Sequence, residues 1–394
     1  MPGSVIVAGA RTPIGKLSGG LASFTAMDLG GIAIKAALER AGVTAEQVQY
    51  VFMGQVLQAG QGQITARQAA ANAGIPLNVP ATTVNKVCLS GLNSIYLADL
   101  MIQAGEADVI VAGGMESMTQ APYLLPGARA GLRIGDGKVV DSMMYDGLTC
   151  AFDNCAMGVA TEKYAAGSLS REAQDEFAAK SHERAAAAAK DGKLGEEIVP
   201  VSIPQRKGDP ILFDTDEGVR PGTTAESLGG LRPAFDPKGS ITAGNASQIS
   251  DGAAAVIVVS RAFAEKLGVD PLGEVVSYGQ VAGPDTTSLL TQPSRATNVA
   301  LEKIGKSATD VDLFELNEAF AAVGLASMAD LGITDEVANV NGGAIALGHP
   351  VGASGTRIAL SLLLELRRRG GGLGAAALCG GGGQGDAMIL SVPR

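Results

Sequence analysis

The chain repeats itself. Residues 37–54, ALERAGVTAEQVQYVFMG, align without gaps to residues 300–317, ALEKIGKSATDVDLFELN, 263 positions further on. Ser90-Gly91 and Ser354-Gly355 each open a helical pattern 264 positions apart, and Ala112-Gly113-Gly114 matches Cys379-Gly380-Gly381 at 267. Three ordered matches at nearly one spacing point to a tandem duplication. The chain must fold as two similar halves, the first at about 1–120 and the second at about 271–394.

Each half alternates helical and buried-strand patterns. Ala26–Ala41 places Leu29, Ile32, Ala33, Ala36 and Ala37 on one helical face. The short apolar runs at 109–112 and 375–379 suit strands covered on both sides. This alternation implies α/β layers joined by crossovers. Residues 121–249 differ, being rich in Gly, Pro and charge, with one Ala-rich helix near Arg171–Lys190. They read as an insertion, either an active-site lid or a structural cap. Residues 252–260, GAAAVIVVS, read as a strand returning to the sheet of the first half, which is therefore assigned 1–120 plus 250–270.

Composition narrows the functional classes. A net charge of −10 disfavours nucleic acid or an anionic membrane as the main partner. Sparse aromatics and the absence of Trp remove the stacking platforms that single strands need. No apolar run approaches the ~20 residues of a membrane-spanning helix. The start, Met1-Pro2-Gly3-Ser4, leads into Val5-Ile6-Val7 as a first strand and not as a signal peptide, and Ser391-Val392-Pro393-Arg394 carries no targeting tripeptide. A cytoplasmic location is the expectation. Four cysteines (Cys88, Cys150, Cys155 and Cys379) without a CxxC pair, and two histidines, make neither a disulfide framework nor a zinc site; no metal is expected.

Few groups are left to do chemistry. Cys88 lies in VNKVCLSGL, where a strand ends near Val87 and a helix runs over residues 89–104. A thiol at a helix N-terminus is expected to have its thiolate stabilised and its pKa lowered, although a buried cysteine can equally be a small hydrophobe. His349 sits in the loop GGAIALGHPVGASG, about eight residues longer than its counterpart in the first half. His182, in SHERAAAAAK, reads as a solvated surface residue. Cys379 ends a buried strand before four glycines, whose N–H groups are free to stabilise an oxyanion. Asn317 follows the strand Leu313–Leu316, where it can form a turn, hold a water or polarise a carbonyl.

These motifs together resemble the thiolase family, in particular its acetyl-CoA acetyltransferases. The likeness runs through ARTPIG at 10–15, VCLSGL at 87–92, AGGMESM at 112–118, NASQISDGAA at 245–254, NEAF at 317–320, GGAIALGHPVGASGTR at 342–357 and CGGGGQG at 379–385. It implies duplicated α/β/α/β/α layers with residues 121–249 as an inserted loop domain that binds CoA. It implies Claisen condensation of two acetyl-CoA to acetoacetyl-CoA and CoA by a ping-pong cycle, and the reverse thiolysis. Cys88 would accept the acyl group, His349 would activate it, and Cys379 would be the acid/base for the α-carbon, with a pKa near working pH. Asn317 would hold a water that forms one oxyanion hole with His349, and the N–H groups of Cys88 and Gly381 would form the other. Met157, Arg220, Ser227, Phe235, Ala243, Ser247, Ala319 and Phe320 match the family's CoA contacts. CoA thioesters would be substrates, with no tightly bound cofactor, and the assembly a homotetramer built as a dimer of dimers.

The sequence departs from the acetyl-specific pattern in two places. Ala156 stands before Met157-Gly158 where some such members have His, and residues 283–292 lack a pocket Met. A 3-ketoacyl-CoA thiolase of broader chain length, in fatty-acid degradation, is therefore the alternative reading. A β-ketoacyl-ACP synthase needs a second active-site residue, usually His, where Asn317 stands. A non-catalytic CoA- or lipid-binding protein would not need Cys88, His349 and Cys379 together. A cysteine hydrolase fits poorly with a second, glycine-flanked cysteine.

Overall fold

The computed structural model describes residues 4–285 and 289–394. The expectations at Met1, Pro2 and Gly3, and the part of the 283–292 reading that falls on Thr286, Thr287 and Ser288, lie outside the described residues. The main strands are β1 (Ser4–Arg11), β2 (Tyr50–Gly54), β3 (Ala81–Val84), β4 (Val109–Ser117), β5 (Ser250–Ser260), β6 (Gly273–Ala282), β7 (Leu313–Leu316), β8 (Gly372–Gly380) and β9 (Gln384–Val392). The main helices are α1 (Ala26–Ala41), α2 (Thr65–Asn72), α3 (Ser90–Gln103), α4 (Arg171–Lys190), α5 (Gln292–Glu302), α6 (Ala321–Leu331) and α7 (Ser354–Arg368).

The duplication is visible in the strand order. The sheet runs β7-β8-β9-β6-β1-β5-β4-β2-β3, with a two-residue strand, Gly15–Lys16, beside β5. Reading outward from the central β1–β6 pair, one side is β1, β5, β4, β2 and the other is β6, β9, β8, β7. On both sides the outer strands pair in parallel and the inner ones antiparallel. Where the first half continues with β3, the second has a single parallel bridge between Phe314 and Ala338. The aligned glycines Gly42 and Gly305 do the same job after α1 and α5, both at positive φ (64° and 65°), a conformation that costs a side chain energy.

Alternation along the strands makes the layers. In β4, Val109 and Val111 join the cluster beneath α1, while Ile110 and Ala112 point into a central cluster with Leu92, Ile95, Ile358 and Leu362. In β8, Ala376 and Leu378 enter that same central cluster, and Ala375 and Ala377 face the α5–α6 side. Helices α3 and α7 are therefore enclosed between the two halves of the sheet, with α1 and α2 outside one and α5 and α6 outside the other. This is an α/β/α/β/α arrangement. No helix among the described residues is long and apolar enough to cross a membrane.

The segment between the halves is tied to them by buried charge. Arg11, at the end of β1, donates to Glu197 Oε1 at 2.8 Å and to both Asp216 oxygens at 2.6 and 2.8 Å. All three side chains are buried, so the pairs operate at low dielectric and each charge depends on its partners. Removing one partner leaves uncompensated charge in the interior. Arg11→Ala is therefore expected to lower the unfolding free energy by about 3–5 kcal/mol, read as a drop in the urea midpoint. An unchanged midpoint would show that the buried network is dispensable.

Candidate active site

Cys88 lies on a tight turn between β3 and α3. β3 stops at Val84, three residues earlier than the sequence suggests. The chain then needs a reversal, and Val87 takes it at φ 51°, an unusual conformation for a β-branched residue. Ser90 fixes the turn: its Oγ accepts from Lys86 N at 2.8 Å and donates to Val87 O at 2.6 Å. The end of β8 packs directly on it. A Cβ at Gly381 would sit 3.3 Å from Val87 Cγ1, and one at Gly380 would sit 2.6 Å from Leu89 Cγ, so glycine is what lets the two chains approach.

The thiolate expectation at Cys88 fails. Although the residue keeps some accessible surface, burial pushes its thiol well above the ordinary range, and the nearby Cys379 and Glu116 add to the rise. Its own backbone N–H lowers the value but is outweighed. Desolvation wins over the helix terminus because the helix end offers only partial charge, whereas the enclosed thiolate loses its water. Cys379 behaves alike: burial pushes its thiol up to about 12, far from the working pH that the sequence suggested.

His349 is held as a neutral imidazole. Its backbone N–H is directed at Gln248 O (3.1 Å) and Ser250 Oγ (3.2 Å). Nδ1 lies 2.6 Å from Ser354 Oγ, and that hydroxyl also lies 3.1 Å from Pro350 O. A carbonyl only accepts, so the serine proton is committed to Pro350 and the hydroxyl accepts from Nδ1–H. Nε2 is then the unprotonated nitrogen, and its lone pair accepts from Asn317 Nδ2 at 3.4 Å. Burial, followed by the charge of Arg357, drops the imidazole pKa to about 3.

Asn317 is buried, and its Oδ1 makes no hydrogen bond among the described residues. Glu318 beside it anchors the loop that leads to His349. It accepts from Ser181 Oγ (2.6 Å), Asn339 Nδ2 (2.9 Å) and Ile345 N (3.1 Å). Cys379 packs in a cluster with Leu289 and Val323, against which Met157, Ala319 and Phe320 pack.

A cavity of about 470 Å³ opens onto His349. Of the residues proposed to contact CoA, Met157, Arg220, Phe235, Ala243, Ser247, Ala319 and Phe320 line it, and Ser227 does not. Ser227 is exposed on the short helix Ala225–Gly229, capped by Thr224. Phe235 and Phe320 meet edge to face at 6.2 Å, and the Phe235 ring lies against Gly158, where a Cβ would come within 2.2 Å of it. Ala156 also lines the cavity, with Met144 and Leu148.

His182 is not a solvated surface residue. It is buried, and its Nδ1 accepts from Arg220 N at 3.1 Å. Burial and the Arg220 charge lower its pKa to about 4. The helical face of α4 that looked polar packs inward, against the loop 342–347 and the Arg220 segment. Sequence reasoning also missed two other residues of this region. Ser354 was legible as a helix start but not as the partner of a histidine five positions before it. Glu116 stands in an otherwise uncharged buried strand, VIVAGGMES, and such an isolated acid is itself a signal.

Comparison with known proteins matches two family models. One described as the thiolase N-terminal domain covers residues 4–262, and one described as the thiolase C-terminal domain covers 269–392. A protein of Mycolicibacterium smegmatis named probable acetyl-CoA acetyltransferase is 59% identical over 98% of this chain and 100% of its own length. One of Mycobacterium tuberculosis with the same name is 58% identical over 99% of both chains. The acetyl-CoA acetyltransferase of Cupriavidus necator is 53% identical over 98% of both.

Two histidines make the electrostatics directly readable. With folded values of about 3 for His349 and about 4 for His182, neither ring should change protonation between pH ~5 and ~8. A ¹⁵N-histidine titration should show two flat traces there. A ring titrating near its usual ~6.5 would mean that its site is wet.

Proposed function

The chain belongs to the thiolase family, and from that premise we propose that it is an acetyl-CoA C-acetyltransferase, making acetoacetyl-CoA and CoA from two acetyl-CoA and running the reverse thiolysis. The observation that carries this reading is that Cys379 lies close enough to Cys88 to raise its thiol, while a neutral His349 lines an apolar cavity whose wall residues Met157, Ala319 and Phe320 pack on the Cys379 cluster. Relatives covered end to end bear the same activity in their names.

The cycle follows from the protonation states. His349 Nε2 takes the Cys88 proton as the sulfur attacks the acetyl carbonyl of the first thioester. The C–S bond to CoA breaks, and the departing sulfur takes the Cys379 proton. This leaves acetyl-Cys88, a Cys379 thiolate and a protonated His349. A thiolate made only at this stage is a strong base, because burial holds its pKa up to about 12. It removes the α-proton of the second acetyl-CoA, and the carbanion attacks acetyl-Cys88. The Cys88 sulfur leaves as acetoacetyl-CoA forms and recovers its proton from His349. Charge in this enclosed site appears only as a compensated pair. The N–H groups of Cys88 and Gly381 are assigned to one oxyanion. A water held at Asn317, together with His349, is assigned to the other, and the unpartnered Asn317 Oδ1 supports this.

In this reading residues 121–249 form the CoA-binding loop domain between halves at 1–120 plus 250–270 and 271–394. Arg220 supplies positive charge for an anionic cofactor handle in an acidic protein. We assign Ser227 to the outer part of the same ligand, beyond the cavity wall. No tightly bound cofactor or metal takes part. The reading makes the enzyme a cytoplasmic homotetramer, a dimer of dimers, and the exposed Tyr123, Leu132, Ile134 and Val139 of the insertion support self-association.

Two variants separate the cysteines. Cys88→Ala should abolish both acetoacetyl-CoA thiolysis and covalent labelling by radiolabelled acetyl-CoA; acetyl label persisting on that variant would remove the nucleophile assignment. Cys379→Ala should still become labelled while condensation falls by about 10²-fold or more. Normal condensation by Cys379→Ala would refute its role as base.

A further inference from the structure

The motif at 112–118 contains a buried acid that the cycle above does not use. Glu116 projects from the C-terminal end of β4 and is fully buried. It alternates in register with Ile110, Ala112 and Gly114, the face turned toward α3 and α7. Side chains shrink along that face to admit a turn from the other half. A Cβ at Gly114 would lie 1.9 Å from Gly352 O, and one at Gly54 would lie 2.8 Å from it. The Gly352 carbonyl is thus wedged between two strand ends.

Glu116 completes the grip. Its Oε2 accepts from Gly352 N at 3.0 Å and Val56 N at 2.9 Å, and its Oε1 accepts from Leu57 N at 3.1 Å. Gly352 is three residues after His349, and Val56 and Leu57 pack in the apolar cluster that touches Val87 and Cys88. One carboxylate therefore joins the turn that carries the base to the loop that supports the nucleophile. Three backbone donors on two oxygens favour the ionised form, because each N–H bonds a carboxylate oxygen more strongly than a carboxylic acid oxygen. We infer that Glu116 is a positioning residue for Cys88 acetylation, its carboxylate holding the His349 turn and the Cys88 support in one geometry. This rests on the thiolase reading of Cys88 and His349.

A pH dependence follows. The titratable groups that interact with Glu116 are Asp251 on β5 and the Cys88 thiol after β3; the loop after β2 brings neutral Gln55. Among the described residues no cation pairs with it. Burial, with Asp251 adding, lifts it from the usual carboxyl range to about 7 against the lowering by its three N–H donors. The holding form is present above that value and is lost as pH falls through it, whereas His349 and both thiols do not titrate between pH ~5 and ~8.

The test is single-turnover acetylation of Cys88 by acetyl-CoA, followed by mass spectrometry, on the wild type and Glu116→Gln. The expected result is a fall of about 10-fold or more in the acetylation rate constant, with KM for acetyl-CoA within about threefold. In the wild type the rate constant should drop between pH 8 and pH 6, and Glu116→Gln should lose that limb. Acetylation of Glu116→Gln at the wild-type rate, or a loss confined to KM, overturns the inference. If Glu116→Gln does not fold, the wild-type profile decides: a rate flat from pH 8 to pH 6 overturns it and a falling one supports it. Failure of the wild type to acetylate Cys88 at all would instead overturn the functional reading.

Discussion

Everything at this site depends on how closely two helix entrances approach. Gly91, in the first turn of α3, has no room for a Cβ, because Thr356 N would lie 2.8 Å away. Gly355, in the first turn of α7, is equally confined by Leu92 N at 2.3 Å. Thr356 Oγ1 donates to Gly91 O at 2.9 Å across this contact. With glycine on both sides, the N-terminal turns of helices from opposite halves touch, and the residues just before each helix are brought together. Cys88 precedes one and His349 precedes the other. A larger residue at any of these positions would push apart the turns that carry Cys88 and His349.

The approach also removes water, which sets the electrostatics. Burial raises both thiols and lowers the imidazole, so all three groups rest neutral. A free thiolate would be a better nucleophile in isolation, yet an enclosed unpaired charge is costly. Any charge formed among these groups would need a partner close by. Ser354 matters here out of proportion to its size, since its hydroxyl decides which imidazole nitrogen keeps the lone pair.

Most of the fold was legible in the chain. The bounds of α1 and β7 follow directly from their patterns, the pattern places α4 approximately, and the repeat anticipates the mirrored sheet. The errors share one cause. The charged sequence neighbours of His182 suggest a solvated residue, but the loop 342–347 and the Arg220 segment cover it. Cys88 precedes a helix, and local reasoning credited the helix terminus; the larger effect came from β8 and the second cysteine. The near-neutral Cys379 failed likewise, because desolvation is a property of what surrounds a group and not of its neighbours in the chain.

By itself, the sequence determined the duplication, the alternating layers, the glycines at the crowded positions and the short set of residues able to do chemistry. Those are local quantities: periodicity, turn residues and residue type. Only the tertiary structure decided that Glu116 joins two loops, that Ser354 sets the histidine tautomer, that Ser227 stands outside the cavity and that the thiols rest protonated. Each depends on contacts between segments far apart in sequence, and on the exclusion of water that those contacts produce.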